Sequence, residues 1–483
     1  MLALGLDIGS TNLKVALVEI DADPEPRVRA VESRPTPRDG AALLSTAGRL
    51  LESMTAWSET PPRCVGIASM AESGVPLDAD DRPLGEVVRW DPQRAQQQAE
   101  RLSARLGREE LVRATGVRPS GKVPLATWAH LREHEPDRWA TMHRWAGVAD
   151  LVALGLTGRL VTDHTLAGRT MAYRLPAPGA GLPPSFDADL LAEVGLTPDK
   201  LAEVAPPGQV AGGVRPGAPL ASGLPVGTPV IVSGHDHPVG AWAGGVREPG
   251  QVADSVGTAE ALVRVLRAPV DPVSAADAGM SLVRTVDGEH EALLAGASSA
   301  GAMVAWWAEH MADGHDLAEL FDRAAKRGAP SASLLVLPYL SGRQTPRPDP
   351  SAHLRILGEP ADHDVVGGAR ALLDGLSLHA RWMHEEQARL AAEDPADGHV
   401  HVLGSAAGPG TPWLATKAAV GPARLRAVHV GEPVAAGAAL LAAHRAGLAQ
   451  APMLPGGPVA QGPDPTYEPL YDLFVRAASQ GGP

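Results

Sequence analysis

Residues 5–14 read GLDIGSTNLK: an apolar strand that ends on Asp7, a Gly9-Ser10-Thr11-Asn12 turn, and Lys14 opening a second strand. Residues 2–7 and 14–20 lie too close together for an intervening helix, so the pattern predicts a β-hairpin. Successive N–H groups and hydroxyls in such a turn form a concave anion site. A carboxylate this near a polyphosphate repels it unless a cation lies between them, so Asp7 implies Mg²⁺ reached through water. Asp-x-Gly alone is equally an ordinary hairpin turn. Lys14, the Ser10-Thr11 pair and a similar turn at Ser255-Val256-Gly257-Thr258 favour the anion site. That second turn sits between two predicted strands near the middle of the chain, where a duplicated fold would place it.

Another glycine-rich segment competes for the same role. Residues 116–122, GVRPSGK, have the GxxxxGK spacing of a phosphate-binding loop. Such a loop needs a strand before it, a helix after it and a Ser or Thr after the Lys. Here Val123 and then Pro124 follow Lys122, and the preceding LVRAT belongs to a charged helical stretch. The spacing is a coincidence.

At 483 residues the chain exceeds one ordinary core, and 44% hydrophobic with 20% charged residues fits a folded soluble protein. A net charge of −14 excludes non-specific nucleic-acid binding but not ATP, whose phosphates need only local N–H groups and a metal. The lone Cys64 excludes an intrachain disulfide framework and reads as a small buried residue. No signal-peptide pattern precedes the first strand, and the apolar runs fall short of a membrane span. The expectation is a cytoplasmic protein with no nucleic-acid and no membrane partner.

Residues 228–232 form an apolar strand that leads through Ser233-Gly234 to Asp236, and Pro238 suits the first turn of a helix. Asp236 therefore sits between a strand's end and a helix's start, where ligands of open α/β sheets gather and the helix dipole keeps a carboxylate ionised. It can act as a general base or as a helix cap. His235 and His237 flank it. A His-x-His pair needs a third ligand to hold a metal, and the alternative is one imidazole bonding substrate or Asp236 while the other packs. Elsewhere, a strand at 64–68 leads into a Ser73-Gly74 turn, and helical patterns cover 92–106, 125–134 and 148–156. Residues 177–184 and 205–225 read as loops, and an amphipathic piece spans 467–477.

Several stretches in order, GLDIGSTNLKVAL, GIASMAESGVPLD, the Leu-Thr-Gly segment of 149–173, GTPVIVSGHDHPVGAWAGG, LLVLPYLSGRQTPRP, GARALLDGLSLHAR and GEPVAAGAALLAA, resemble the FGGY family of carbohydrate kinases, which holds xylulose, ribulose and glycerol kinases. The resemblance implies an α/β fold of two actin-like (ribonuclease H-like) ATPase lobes. Each has a mixed sheet flanked by helices, with a cleft between them and a boundary near Gly244. Residues 1–244 would hold the sugar and the catalytic Asp, and 245–483 the nucleotide. It implies ATP with Mg²⁺, and a terminal hydroxyl of a ketopentose or small polyol as acceptor.

Residue by residue, the resemblance assigns Asp236 as general base and, with Asp7, as the Mg²⁺ carboxylates. It gives Asp7, Gly9, Ser10, Thr11, Asn12, Lys14, Gly257, Thr258, Gly301, Gly404 and Ser405 to ATP, Ser405 standing where a second glycine is usual. Glu72 takes the place of a substrate-binding residue, with Met70 where a Gln is usual; on its own Glu72 is equally an exposed turn residue. Trp90, Asp91, His235 and His237 complete the sugar side, although Trp90, Asp91 and Arg94 are one residue out of the family's spacing. No Lys stands next to Trp128. These departures all fall on the sugar side, which points to an acceptor unlike that of the best-known members. A homodimer is common among similar proteins, but no sequence feature marks an interface. Two rivals share the fold: a sugar-binding regulator that has lost transfer, and an actin-class ATPase or chaperone. A tetrose, hexose or glycerol-like acceptor is the third alternative.

Overall fold

The computed structural model describes residues 1–22, 25–218, 220, 223–327, 334–358, 364–404 and 406–480. The opening hairpin pairs Leu2–Ile8 (β1) antiparallel with Asn12–Glu19 (β2), setting Asp7 opposite Lys14. β1 is buried from Ala3 to Ile8, so it reads as an apolar run and not as an alternation. Arg27–Pro35 (β3), Val65–Ser69 (β4), Gly212–Gly213 (β5) and Pro229–His235 (β6) complete a mixed sheet in the order β3-β2-β1-β4-β6-β5. β4 runs parallel to both β1 and β6. Three neighbouring strands therefore end at Ile8, Ser69 and His235 on one edge of the sheet, the edge where such sheets bind ligands.

Leu4, Leu6, Val15, Ile67 and Val230 form the core of this sheet with Leu43 and Leu50 from the helix Gly40–Ala56. Each such side chain contributes about 1.5–3 kcal/mol by leaving water. The helix Pro433–Arg445 covers β1 and β4 on the other side, and its small residues allow backbone to meet backbone. A Cβ on Gly5 would stand 1.9 Å from the Ala435 carbonyl oxygen, and one on Gly66 2.0 Å from that of Ala438.

The chain divides into two units: residues 1–245 with 282–292 and 432–455, and residues 246–281 with 293–431 and 456–483. The sequence expectation is two contiguous lobes. The first unit instead takes back two later segments, one of which carries the helix that covers β1 and β4.

In the second unit Val252–Val256 (β7) pairs antiparallel with Glu260–Val265 (β8) and parallel with His399–Leu403 (β9). Arg424–Val428 (β10) and Gly456–Pro458 (β11) extend the order to β8-β7-β9-β10-β11. The helices Val365–Ala391 and Pro412–Val420 pack with these strands around Leu372, Leu376, Val402 and Trp413.

Gly116 is the left-handed cap that ends the helix Arg108–Thr115, and turns run from there to the helix Pro124–His134. With no strand before it, 116–122 is not a phosphate loop. The helix expected from 92 starts only at Gln96, because Pro92–Arg94 lie in turns. Among the described residues no helix is long and apolar enough to cross a membrane.

Candidate active site

The β4–β6 register slips between Val232 and Gly234, a bulge that re-aims the residues after it. Ser233, fully buried, donates its hydroxyl to the Ala438 carbonyl at 3.1 Å. Gly234 has φ +124°, and a Cβ there would lie 2.4 Å from Thr165 Oγ1 and 2.7 Å from Asp163 Oδ1. Asp163 is buried and accepts from Thr165 Oγ1 at 2.5 Å and from Arg445 Nη1 at 2.9 Å. Arg445 Nη1 also donates to the carbonyls of Val232 and Ser233. A strand end, a short helix and the covering helix thus lock the bulge that presents His235 and Asp236.

The next helix runs Asp236–Ala243 with His235 in the capping position, so Asp236 is its first residue and not its cap. Asp236 Oδ1 accepts the His237 N–H at 2.7 Å and lies 3.1 Å from His235 Nε2 and 3.8 Å from His237 Nε2. Burial opposes its charge, yet His237 and His235 hold the carboxyl well below the usual range. Burial pushes the His237 imidazole down; Asp236 opposes this, while His235, Arg169 and Lys122 add to it. Asp236 itself supplies the third donor that the His-x-His pair lacks in sequence: the three side chains bring ligand atoms within 4.8 Å of one another.

Asp7, at the end of β1, is the second carboxylate of this edge. Burial pushes it up to about 7, and the charges of Asp236 and Glu432 add to that while Lys14 opposes it. Its Oδ1 is buried with no hydrogen-bond partner among the described residues. Lys14 Nζ is 2.5 Å from Glu432 Oε2, both groups being about a quarter exposed. The turn between them is braced from outside: Thr36 donates its hydroxyl to Gly9 O and its N–H to Thr11 O, and Arg89 Nη1 donates to Ser10 O at 2.8 Å.

Glu72 is buried with φ +63°, a conformation uncommon for a residue with a side chain. Arg169 Nη2 reaches its Oε1 at 2.5 Å and Lys122 Nζ its Oε2 at 3.3 Å. Burial works against its charge, but Lys122, Arg169 and His235 keep it below the ordinary carboxylate range. It is not an exposed turn residue. Lys122, from the rejected glycine segment, brings a cation to this place although none adjoins Trp128. Trp90 is half-buried, packs on the first-unit core and takes the Ser73 hydroxyl oxygen on its N–H at 3.0 Å. Asp91 accepts from the Gln93 N–H within its own turn, and Arg94 donates to Arg89 O. Behind Glu72 a cavity of about 40 Å³, lined also by Trp128, Trp145 and Asp150, has room for water and not for a sugar.

In the second unit three glycine segments far apart in sequence converge. Gly257 and Thr258 form the exposed β7–β8 turn, and their carbonyls accept the N–H groups of Gly301 and Ala302 at 3.0 and 2.9 Å. Those N–H groups open the helix Gly301–His310. Gly404 has φ +112°, and a Cβ there would stand 2.0 Å from the Val256 carbonyl oxygen. Ser405 lies outside the described residues. Below the turn, Lys417 Nζ is buried between Asp254, at 2.6 Å, and Glu260. Sequence reasoning missed this pairing, as it missed Arg169, Glu432 and the Asp163–Arg445 bond. The signal that could have found it is the apolar context of Asp254 and Glu260 on two adjacent strands, which calls for a buried cation to face them.

Two α/β units, one ending in clustered carboxylates and the other in a glycine turn at a helix N-terminus, define an actin-like ATPase fold. The chain belongs to the FGGY family of carbohydrate kinases: residues 2–243 match its N-terminal domain and 252–446 its C-terminal domain. It is therefore a phosphotransferase that uses ATP on a small-molecule sugar. It is 27% identical over 460 residues to the xylulose kinase of Streptomyces rubiginosus, covering 92% of this chain and 87% of that one. It is 22% identical over 394 residues to the gluconokinase of Bacillus subtilis (strain 168), covering 77% and 74%. The ligand-bound xylulose kinase from Lactobacillus acidophilus superposes with a TM-score of 0.85 at 20% identity, over 100% of this chain and 99% of that one.

Proposed function

We propose that this chain moves the γ-phosphoryl group of ATP to a terminal hydroxyl of a small polyhydroxylated carbon chain, with Asp236 as general base. Ketopentoses such as xylulose or ribulose are the acceptors that the sequence resemblance implies. Xylulose kinases among the relatives support that choice, and gluconokinases among them extend the class to six carbons.

The observation that carries the reading is Asp236: an ionised carboxylate at a strand–helix junction, with His235 and the His237 N–H fixing its direction. As the acceptor oxygen bonds to the γ-phosphorus, Asp236 takes its proton, and the bond to ADP breaks. The orphaned Asp7 Oδ1, crowded by Asp236 and Glu432, fits a carboxylate that awaits a cation, so Asp7 and Asp236 would hold Mg²⁺ through water. ATP supplies the phosphoryl group, and Mg²⁺ offsets the charge that builds up on it. The turn at Gly257-Thr258, which the Gly301 helix start braces, and Gly404 would receive the phosphates and the nucleoside. Gly9 to Asn12 would meet the transferred group. Lys14 joins them only by leaving Glu432, a carboxylate it already neutralises.

The test is ADP release with Mg·ATP over a panel of tetroses, pentoses, hexoses and polyols. Release that no member of the panel stimulates would overturn the reading.

A further inference from the structure

The charges around Glu72 discriminate among acceptors of the proposed size. Resting on the kinase reading above, we infer that the preferred acceptor is a sugar acid, whose carboxylate is received by Arg169 and Lys122 while its terminal hydroxyl faces Asp236. Two cations meet a single carboxylate here: Glu72 spends one oxygen on each of them and offsets only one of the two charges. Arg169 is 5% exposed, so its guanidinium has lost its water. Among the described residues only Nη2 has a partner, Glu72 Oε1. Nε and Nη1, which carry three of a guanidinium's five N–H bonds, are buried with no partner among the described residues.

A buried donor left unpaired costs about 1–3 kcal/mol, and more when charged, so such a group is kept where something completes it. A planar carboxylate is the acceptor that matches a guanidinium fork. A neutral sugar hydroxyl neutralises nothing. Lys122 Nζ is partly exposed, and its contact with Glu72 is long enough, at 3.3 Å, to be shared with a second anion.

The same two cations act on His237, and His235 acts on both Glu72 and Asp236. The cation pair and Asp236 thus share His235 and His237 as neighbours, and the proposed acceptor would lie among them. The left-handed backbone at Glu72 turns its carboxylate onto the cations, where it fixes them without cancelling both.

The test compares acids with neutral acceptors of equal length, D-gluconate with sorbitol and D-xylonate with xylitol and D-xylulose, by ADP release with Mg·ATP. The expected result is a kcat/KM at least about tenfold higher for the acid, with the acid-to-neutral ratio falling about tenfold or more in Arg169→Gln and in Lys122→Met, roughly the 1.4 kcal/mol of one charged contact. Lys122→Met is included because a partly exposed lysine is replaced without a cavity. Neutral acceptors used as well as or better than acids overturn this inference and leave the kinase reading standing. An acid preference that survives both substitutions also overturns it. ADP release that neither these acceptors nor any member of the wider panel stimulates overturns the kinase reading, and this inference falls with it.

Discussion

The Thr165 hydroxyl accepts the His235 N–H at 2.9 Å while giving its own proton to Asp163 at 2.5 Å. The residue before Asp236, the proposed base, is thereby pinned to a buried carboxylate that Arg445 also holds. Thr165→Val keeps the shape and removes the acceptor, leaving a buried N–H unpaired. We expect kcat to fall about 10–10²-fold, the scale of a misplaced catalytic group, with KM for ATP unchanged and Thr165→Ser restoring turnover. Steady-state kinetics on the three proteins check this; equal losses in the Val and Ser variants would show that only packing matters.

Asp236→Asn removes the proton acceptor and keeps the side-chain volume. Turnover should drop about 10²–10⁴-fold while calorimetric binding of ADP stays within a few-fold of wild type. Near-normal turnover in this variant contradicts the role of Asp236.

Gly404→Ala places a methyl against the Val256 carbonyl in a left-handed conformation. Since Val256 leads into the Gly257-Thr258 turn, the effect should appear as a higher KM for ATP and a lower Tm, with KM for the acceptor little changed. A variant with unaltered ATP kinetics would separate Gly404 from the nucleotide.

Lys417→Met leaves Asp254 and Glu260 buried with no cation. Breaking a buried pair from one side costs about 3–5 kcal/mol, to be read as a lower denaturation midpoint. Adding Glu260→Gln and Asp254→Asn should recover part of it.

His379 and His384 lie in the helix Val365–Ala391, and burial pushes them down to about 3 and about 4. Unfolded, each takes a proton as pH falls through 6.5, whereas folded it does not until far lower. The unfolded state therefore binds more protons across that window, and stability declines on acidification from about pH 6.5 towards 4, by up to about 1.4 kcal/mol per pH unit for each. Urea midpoints at pH 7, 6 and 5 measure it, and a flat profile refutes it.

The places of Asp7 and Asp236 at strand ends are legible because strand ends and turns are written locally: an apolar run, a glycine and a carboxylate lie within a few residues of one another. The same holds for the Gly257-Thr258 turn. Lys122 was read only as part of a loop with the wrong neighbours, and dismissing the loop hid the side chain. Arg169 looks like any helix-end arginine until the fold sets Glu72 beside it. Arg445 and Glu432 act through strands made hundreds of residues earlier, and no local pattern encodes a partner at that distance. Sequence showed where charge is offered; the tertiary fold decided which charges are already spent.

The covering helix Pro433–Arg445 has a consequence for biosynthesis. The strands it seals, notched at Gly5 and Gly66, leave the ribosome hundreds of residues before their cover does. Throughout translation the amino-terminal sheet must wait with one apolar face bare, a state prone to association. A fragment ending near Gly245 should accordingly aggregate when expressed alone and become soluble when residues 432–455 are supplied in trans or fused to it.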